Sequence, residues 1–145
     1  MDLPNQIITK SAQETSNVGE RLAQELDVSI VYLYGELGSG KTTFAQGFAK
    51  GLGLKHRLLS PTFIIVRRYE MPQADCWFYH VDCYRMNSQK DIEGVGLPEI
   101  FTDPSAIVLV EWADRLGKLL PNNRIDIRFS VNDDGSHKLW ISQKP

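Results

Sequence analysis

The residues best suited to do chemistry lie in one glycine-rich run, residues 35–42, which read GELGSGKT. The run fits the pattern G-x-x-x-x-G-K-[ST], in which backbone N–H groups surround the phosphates of a nucleotide. Its three glycines let the backbone bend, so that successive amides point into one concavity at the positive end of the following helix. Lys41 would place an ammonium group near the outer two phosphates, and the Thr42 hydroxyl would bind a bridging magnesium ion. The run therefore predicts a site for a nucleoside triphosphate.

The segments on either side of this loop fit the motif. Ser29–Tyr34 is a short, largely apolar stretch typical of a buried strand, and Lys41–Leu52 is predicted to be a helix that ends at Gly53. A strand, a glycine-rich turn and a helix, in that order, form the context that the motif requires. This context argues against a chance match.

Two acidic residues end neighbouring apolar runs. Ala106–Val110 is followed by Glu111, and Trp77–Val81 is followed by Asp82. A phosphate-binding loop needs an acid to hold magnesium, usually at the end of a buried strand, and a second acid to orient the attacking water. Glu111 is predicted to bind the metal and Asp82 to act on the water. The alternatives are a solvated acid at a helix start for Glu111 and an ordinary turn residue for Asp82.

Three further side chains have open interpretations. Thr62, in a loop stiffened by Pro61, could reach the magnesium or the outer phosphate, or could cap the next strand. Arg85 could offset phosphate charge or form a surface ion pair. Trp112 could shield the site or belong to the core. His80 is predicted to be packed in its strand rather than catalytic.

The remaining elements predict an α/β, three-layer fold with a mixed, partly parallel central sheet and antiparallel hairpins. Ala106–Val110 has the continuous apolar character of a central parallel strand. Hairpins are expected where a turn separates two short strands. The other predicted elements are a strand at Gln6–Thr9, a helix at Ala12–Leu26, a hairpin at Phe63–Tyr69 and Trp77–Val81, short helices in Asn87–Ile100 and Ala113–Leu120, and a hairpin at Arg124–Val131 and Lys138–Ser142.

Composition limits the function classes. The 145 residues, 42% of them hydrophobic, predict a single domain spanning residues 1–145, and the net charge of −2 gives no overall basic field for nucleic acid. The start of the chain lacks the character of a signal peptide and no apolar run approaches membrane-spanning length, so we expect a cytoplasmic protein without a membrane role. Cys76 and Cys83 match no metal or redox spacing and are expected to be reduced packing residues.

Four blocks of this sequence together resemble the TsaE (YjeE) family. They occur in the family's order and read GELGSGKTTF at residues 35–44, SPTF at 60–63, HVDCYR at 80–85 and VEW at 110–112. The helix pattern Thr15-x-x-x-Gly19-x-x-Leu22 is also similar. The likeness extends from about Thr15 to Val131. The loop alone is common to many ATPases, whereas the four blocks at these spacings are specific.

The resemblance implies a function that the spacing does not show. TsaE proteins are small bacterial ATPases of tRNA threonylcarbamoyladenosine (t6A) synthesis. The nucleotide would be ATP, with Mg²⁺, and the partner would be the TsaB–TsaD heterodimer, so that tRNA is reached only through the complex. TsaD would transfer the threonylcarbamoyl group to an adenosine beside the anticodon, and ATP hydrolysis here would support repeated turnover. The start of the first helix, near Ser11, would approach the base.

The residues assigned to the site follow from the motif and the resemblance together. Catalytic roles are predicted for Asp82, Lys41 and Thr62. Nucleotide binding is predicted for Leu37, Gly38, Ser39, Gly40, Lys41, Thr42, Thr43 and Trp112. Magnesium ligation is predicted for Thr42 and Glu111.

Two other functions are compatible with the loop. A small-molecule kinase would need an acceptor pocket and an arginine-rich lid, and no insertion of lid size is present in the sequence. A nucleotide-dependent binding module would hydrolyse nothing, so its acidic residues would be dispensable. A GTPase is disfavoured because the sequence has no Asn-Lys-x-Asp base-reading motif. The chain also offers no obvious arginine finger, which favours slow hydrolysis in the absence of a partner.

Overall fold

The computed structural model describes residues 3–55, 66–84, 86, 89–117 and 121–144. Within these ranges, seven strands form one sheet with helices on both faces. The strands are β1 (Gln6–Thr9), β2 (Ile30–Tyr34), β3 (Val66–Glu70), β4 (Trp77–Asp82), β5 (Ala106–Glu111), β6 (Arg124–Val131) and β7 (His137–Lys144). The helices are α1 (Ala12–Gln24), α2 (Lys41–Gly51), α3 (Gln89–Gly94) and α4 (Leu97–Phe101), with a 3-10 helix at Ala113–Leu116.

The strand order is β1-β7-β6-β2-β5-β4-β3. The four central strands, β6, β2, β5 and β4, run parallel. At the edges, β3 pairs antiparallel with β4, and β7 pairs antiparallel with both β6 and β1. As predicted, β5 is a central parallel strand, lying between β2 and β4. The predicted fold class, a mixed sheet with antiparallel hairpins, is confirmed.

The strands bury side chains on both faces because helices cover both. On one face Leu33 and Phe78 pack with Phe48 of α2, and α1 contributes Leu22 to the same cluster. On the other face Tyr32 and Val110 belong to a second cluster that includes residues of α4 and of the 3-10 helix. Burial on both faces explains why the central strands are continuous apolar runs rather than alternating ones.

Several element ends differ from the predicted ones. Helix α1 stops at Gln24 and not at Leu26, although Leu26 still packs against the core. Of the helix predicted for residues 113–120, the described part is a 3-10 helix at Ala113–Leu116 followed by Gly117 at φ 59°, and residues 118–120 lie outside the described parts of the chain. Pro98 lies in the first turn of α4, where its missing N–H costs nothing.

The described residues bear on two expectations, one about membrane-spanning segments and one about the two cysteines. None of the helices in these parts of the chain is long and apolar enough to cross a membrane. Cys76 and Cys83 are both free thiols; Cys83 is fully buried, where burial, reinforced by the charges of Asp82 and Asp114, raises its pKa to about 12. An unreactive packing role for Cys83 follows from that environment.

Candidate nucleotide-binding site

The glycine-rich loop joins the end of β2 to the start of α2. Gly38 and Gly40 have φ angles of 76° and 109°, in the left-handed region that favours glycine. The Ser39 N–H donates to the Glu36 carbonyl at 3.2 Å and closes the turn. Helix α2 begins at Lys41, directly after Gly40, and the Phe44 N–H donates to the Gly40 carbonyl at 2.9 Å. The sequence thus folds locally into the strand, turn and helix that the motif predicts.

A cavity of about 450 Å³ opens beside this loop. Its lining residues come from both ends of the chain and from the ends of three strands. They are Ala12, Thr15, Leu37, Gly38, Ser39, Gly40, Lys41, Thr42, Thr43, Asp82, Tyr84, Glu111, Trp112 and His137. The structure therefore brings together every predicted site residue that falls within the described parts of the chain.

The start of α2 is open to an anion. A helix leaves its first N–H groups without internal partners, and no side-chain hydrogen bond caps this end in the described part of the chain. The Ser39 hydroxyl is buried and has no hydrogen-bond partner among the described residues. A Cβ added at Gly38 would meet nothing within 4 Å, so the loop leaves free space there. These features fit a bound phosphate group.

Lys41 is turned back onto its own loop. Its ammonium donates to the Gly35 carbonyl and, at 3.5 Å, to the Glu36 carbonyl, and it lies 3.6 Å from the centroid of the Trp112 ring. Burial lowers the Lys41 pKa, and the nearby carboxylates, led by Glu111, oppose that shift. The cation is therefore held at the floor of the cavity by neutral oxygens and an aromatic face.

Thr42 and Glu111 are in direct contact. The Thr42 hydroxyl donates to Glu111 Oε1 at 3.1 Å, although the two residues are 69 positions apart in sequence. The Glu111 side chain is almost fully buried, at 4% exposure, and its second oxygen, Oε2, lies 2.6 Å from His80 Nε2. Both carboxylate oxygens thus have a defined hydrogen-bond partner.

The donor set fits magnesium delivered with a nucleotide. Mg²⁺ in such sites takes one or two protein oxygens and completes its shell with water and substrate phosphates. One carboxylate and one hydroxyl, those of Glu111 and Thr42, lie together here. Within the described residues no group of three or more His, Cys, Asp and Glu side chains could hold a metal. The protein side chains supply a partial shell of the kind that phosphates complete.

Asp82 lies next to Glu111 because of the sheet register. Strands β4 and β5 are parallel, and Asp82 pairs with Glu111 at their carboxyl ends. Asp82 Oδ1 accepts a hydrogen bond from the Tyr84 N–H at 2.9 Å. Burial raises the Asp82 pKa and the Glu111 charge adds to the rise, while the Tyr84 N–H lowers it. A carboxyl group with a raised pKa is a stronger base, which suits proton acceptance from water.

The aromatic wall of the cavity is formed by Trp112 and Tyr84. Their ring centroids are 4.9 Å apart. Trp112 has a φ of 58°, an uncommon conformation for a non-glycine residue, and directly follows the end of β5. Trp112 is half-buried, packs against the second core cluster and also lines the cavity, and its role beside a nucleotide stays a prediction.

Two histidines make contacts at this site that the sequence did not predict. His137 Nδ1 lies 2.7 Å from the Ser39 carbonyl, which can only accept, so His137 carries a proton on Nδ1 and donates it. No local signal marks His137, because only the pairing of β7 with β6 and β1 brings it to the loop. His80 is packed in its strand, as predicted, but it also contacts Glu111. The spacing of two between His80 and Asp82 places both on one face of β4 and was the available signal.

The first helix reaches the cavity at its start. Ala12 and Thr15 line it, and the Thr15 hydroxyl lies 2.6 Å from the Thr9 hydroxyl. Ser11 caps α1 through a hydrogen bond from the Glu14 N–H at 3.1 Å. The start of α1 therefore borders the cavity, and its approach to the base of a nucleotide stays a prediction.

Two predicted residues lie outside the described parts of the chain. Thr62, assigned a catalytic role, and Arg85, with its two open interpretations, both belong to segments that the structure does not describe. Their assignments stay predictions.

Comparison with known proteins gives the family. The protein-family model described as "Threonylcarbamoyl adenosine biosynthesis protein TsaE" matches residues 9–139 of this sequence. The chain belongs to the TsaE family. The resemblance drawn from the four motif blocks is thereby confirmed.

Relatives in this family match along most of their length. A protein of Treponema pallidum, named "tRNA threonylcarbamoyladenosine biosynthesis protein TsaE", is 32% identical over 93% of this chain and 98% of its own. The Bacillus subtilis protein of the same name is 42% identical over 78% of this chain and 68% of its own. Among solved structures, Bacillus subtilis YdiB superposes with a TM-score of 0.79 and 29% identity, over 97% of this chain and 85% of that one.

Proposed function

We propose that this chain binds and hydrolyses Mg-ATP and thereby supports threonylcarbamoylation of tRNA, the process for which the TsaE family is named. The observation that carries the proposal is the 3.1 Å contact between Thr42, at the start of α2, and Glu111, at the end of β5. It joins the phosphate-binding loop to the metal-binding acid that the motif requires.

The roles follow from the contacts. The amides of residues 37–43 would receive the phosphates, and Lys41 would leave the Gly35 and Glu36 carbonyls to face the outer two. Thr42 and Glu111 would hold the magnesium ion. Once bound, magnesium would neutralise phosphate charge that develops as the terminal group leaves. Trp112, which packs against Lys41, would border the nucleotide.

Hydrolysis needs a water aligned with the terminal phosphorus. Asp82, with its raised pKa, is the group in the cavity suited to hold that water and accept its proton. The water oxygen bonds to phosphorus, the bond from phosphorus to the bridging oxygen breaks, and ADP and inorganic phosphate result. Thr62 retains its proposed role in this step from the family resemblance alone.

A partner would complete the site. The described residues that line the cavity include one lysine and no arginine. In related phosphoryl transfers, an arginine that a partner protein supplies greatly accelerates hydrolysis. Leu37 is 73% exposed and Tyr84 44% exposed, and both border the cavity. Exposed apolar side chains beside a polar site suit docking of a protein. We propose the TsaB–TsaD heterodimer for this partner, with tRNA reached only through it and all of them in the cytoplasm.

The test is ATP turnover by this chain alone and then with TsaB–TsaD and tRNA, with t6A formation followed in parallel. We expect slow turnover alone, stimulation by the heterodimer, and multiple rounds of t6A formation only with ATP hydrolysis. Glu111→Gln should remove both stimulation and repeated turnover. If turnover is not stimulated, or if Glu111→Gln and Asp82→Asn still support t6A formation without consuming ATP, the hydrolytic proposal is wrong and a binding module is favoured.

A further inference from the structure

His80 is a fully buried imidazole that, among the described residues, makes one recorded polar contact and stacks on one aromatic ring. Its ring stacks on that of Phe78, with centroids 6.4 Å apart and an interplanar angle of 12°. Its Nε2 lies 2.6 Å from Glu111 Oε2. His80 itself does not line the cavity in which the nucleotide would bind. Its hydrogen bond to Glu111 is therefore its direct contact with the predicted magnesium ligands.

The direction of this hydrogen bond follows from the partners. Nδ1 of His80 is buried and has no hydrogen-bond partner among the described residues. A neutral imidazole carries one N–H, and an ionised carboxylate can only accept. The proton therefore belongs on Nε2, where it is donated to Glu111. The Thr42 hydroxyl donates to the other oxygen, Oε1, so each oxygen of the carboxylate has one donor.

We propose that His80 is the positioning residue of the magnesium site: it fixes the Glu111 carboxylate so that Oε1 faces Thr42 before any metal arrives. The inference rests on the proposed function, since it concerns the metal that accompanies ATP. Glu111 is almost fully buried and would otherwise have an oxygen without a recorded donor. Such partners of metal-binding groups typically set the metal affinity by about 10- to 100-fold.

The register explains why one strand can supply both groups. His80 and Asp82 lie two residues apart on β4 and pair with Leu109 and Glu111 of β5. Side chains two residues apart on a strand share a face, so His80 lies on the same side of the sheet as Asp82 and Glu111. It is two residues further than Asp82 from the carboxyl end of β4. Strand β4 thus contributes one residue predicted to act on water and another that holds the metal-binding acid.

The variant test compares His80→Leu with His80→Gln. Leucine fills the space without a donor, whereas glutamine can place an amide N–H near the position of Nε2. The measurement is the dissociation constant for ATP by calorimetry, once with Mg²⁺ and once with EDTA. We expect His80→Leu to reduce the magnesium enhancement of ATP affinity by about 10-fold or more and to leave the affinity in EDTA nearly unchanged. His80→Gln should recover most of the enhancement.

Ile125→Val is the matched control. Ile125 is fully buried in the core cluster on the same face of the sheet, and no contact recorded for the described residues joins it to His80 or Glu111. It should lower stability yet keep the full magnesium enhancement. If His80→Leu keeps it too, or if both variants lose it alike, the positioning role is refuted. If the wild-type chain binds no Mg-ATP, the proposed function is wrong and this inference is wrong with it. If the wild-type chain binds Mg-ATP and the His80→Leu variant keeps the full magnesium enhancement, only the inference is wrong.

A measurement on the unmodified chain covers the case in which His80→Leu does not fold. Long-range ¹H–¹⁵N NMR spectra report which ring nitrogen carries the proton. We expect His80 to be the Nε2–H tautomer in the nucleotide-free protein and to remain so with Mg-ATP. An Nδ1–H tautomer would mean that His80 does not donate to Glu111, and the proposal would be overturned.

Discussion

Lys41 shows how a single residue prepares the site for an anion. Its side chain is buried, its charge faces two carbonyl oxygens and the Trp112 ring, and burial lowers its pKa. These neutral partners compensate the ammonium less well than a phosphate would, because hydrogen bonds between ionised groups are the stronger ones. A triphosphate can therefore displace them.

Replacing Lys41 by alanine should weaken Mg-ATP binding about 10- to 100-fold, since a hydrogen bond to a charged group contributes about 1.5–3 kcal/mol. Calorimetric titration measures this loss. Lys50→Ala is the matched control, because Lys50 lies on the same helix with a side chain 69% exposed. Unaltered affinity in Lys41→Ala would remove this lysine from the phosphate site.

Asp82→Asn should slow hydrolysis about 100-fold or more and leave nucleotide affinity largely intact, since general-base help contributes about 10²–10⁴ in rate. Asparagine keeps an oxygen for the Tyr84 N–H but cannot take a proton from water. Single-turnover hydrolysis and nucleotide titration separate the two quantities. Equal rates in the variant and the wild type would exclude Asp82 from the chemistry.

The same substitution should affect stability with a predictable sign. Burial raises the Asp82 pKa above its ordinary value, so the folded chain holds this proton more tightly than the unfolded chain. The unfolding free energy of the wild type therefore falls as pH rises through that range, and the deficit persists at neutral pH. Asp82→Asn should be the more stable protein at pH about 7, with the advantage shrinking in acid below the ordinary pKa of about 4. Urea unfolding at several pH values checks this sign, and a less stable variant at neutral pH would contradict it.

The residue types of the site were predictable because the chemistry requires them. A glycine-rich loop, a lysine, a hydroxyl and two acids at strand ends suffice to expect a triphosphate, and the structure collects them in one cavity. His137 was not predictable, since it reaches Ser39 across 98 positions through the pairing of three strands. The Glu111 contact of His80 was hidden because it depends on the register of β4 against β5.

At the scale of elements, the contact between α1 and α2 depends on glycine. A Cβ built at Gly47 would lie 1.9 Å from the Ser16 carbonyl oxygen, and one at Gly19 would lie 2.3 Å from the Phe44 carbonyl oxygen. The two helices therefore pack backbone against backbone. This close approach positions the start of α1 beside the start of α2, so both helix ends reach the cavity.

Gly47→Ala should destabilise the fold by about 2 kcal/mol or more. Alanine gains about 1 kcal/mol in helix propensity, but its methyl group would force the two backbones apart, and overpacking of this kind exceeds that gain. Urea unfolding measures the change. Gly94→Ala, at the end of α3 with nothing within 4 Å of the added Cβ, is the control and should cost no stability. If both variants unfold alike, the tight helix contact is not present in solution.

Element types were predicted better than element ends. Periodicity identified α1, but it extended the helix to Leu26 because that side chain packs on the core from outside the helix. The helix predicted from Ala113 onward is a 3-10 helix at Ala113–Leu116 and is followed by Gly117, with φ 59° and ψ −110°. Apolar spacing reports which side chains are buried and is silent on the backbone geometry that ends a helix.

At the scale of the whole molecule, the strand order explains why distant residues share one site. The carboxyl ends of β2, β4 and β5 meet at one edge of the sheet, and ligands of such sheets bind outside that edge. Strand β7 starts where β6 ends, and Thr9 at the end of β1 pairs with His137 at the start of β7. The first helix and His137 therefore arrive at the same edge as the loop. The sequence predicted the hairpin of β6 and β7, but the parallel pairing of β6 with β2 could not be inferred from local patterns.

The central claim is that the loop at residues 35–43 grips the phosphates of ATP, and calorimetry of the full chain with Mg-ATP tests it most directly. We predict saturable binding of one nucleotide per chain, with affinity reduced when EDTA removes magnesium and reduced further when Lys41 is replaced by alanine. Absence of any binding at saturating Mg-ATP, with the protein shown to be folded in the same sample, would contradict the account.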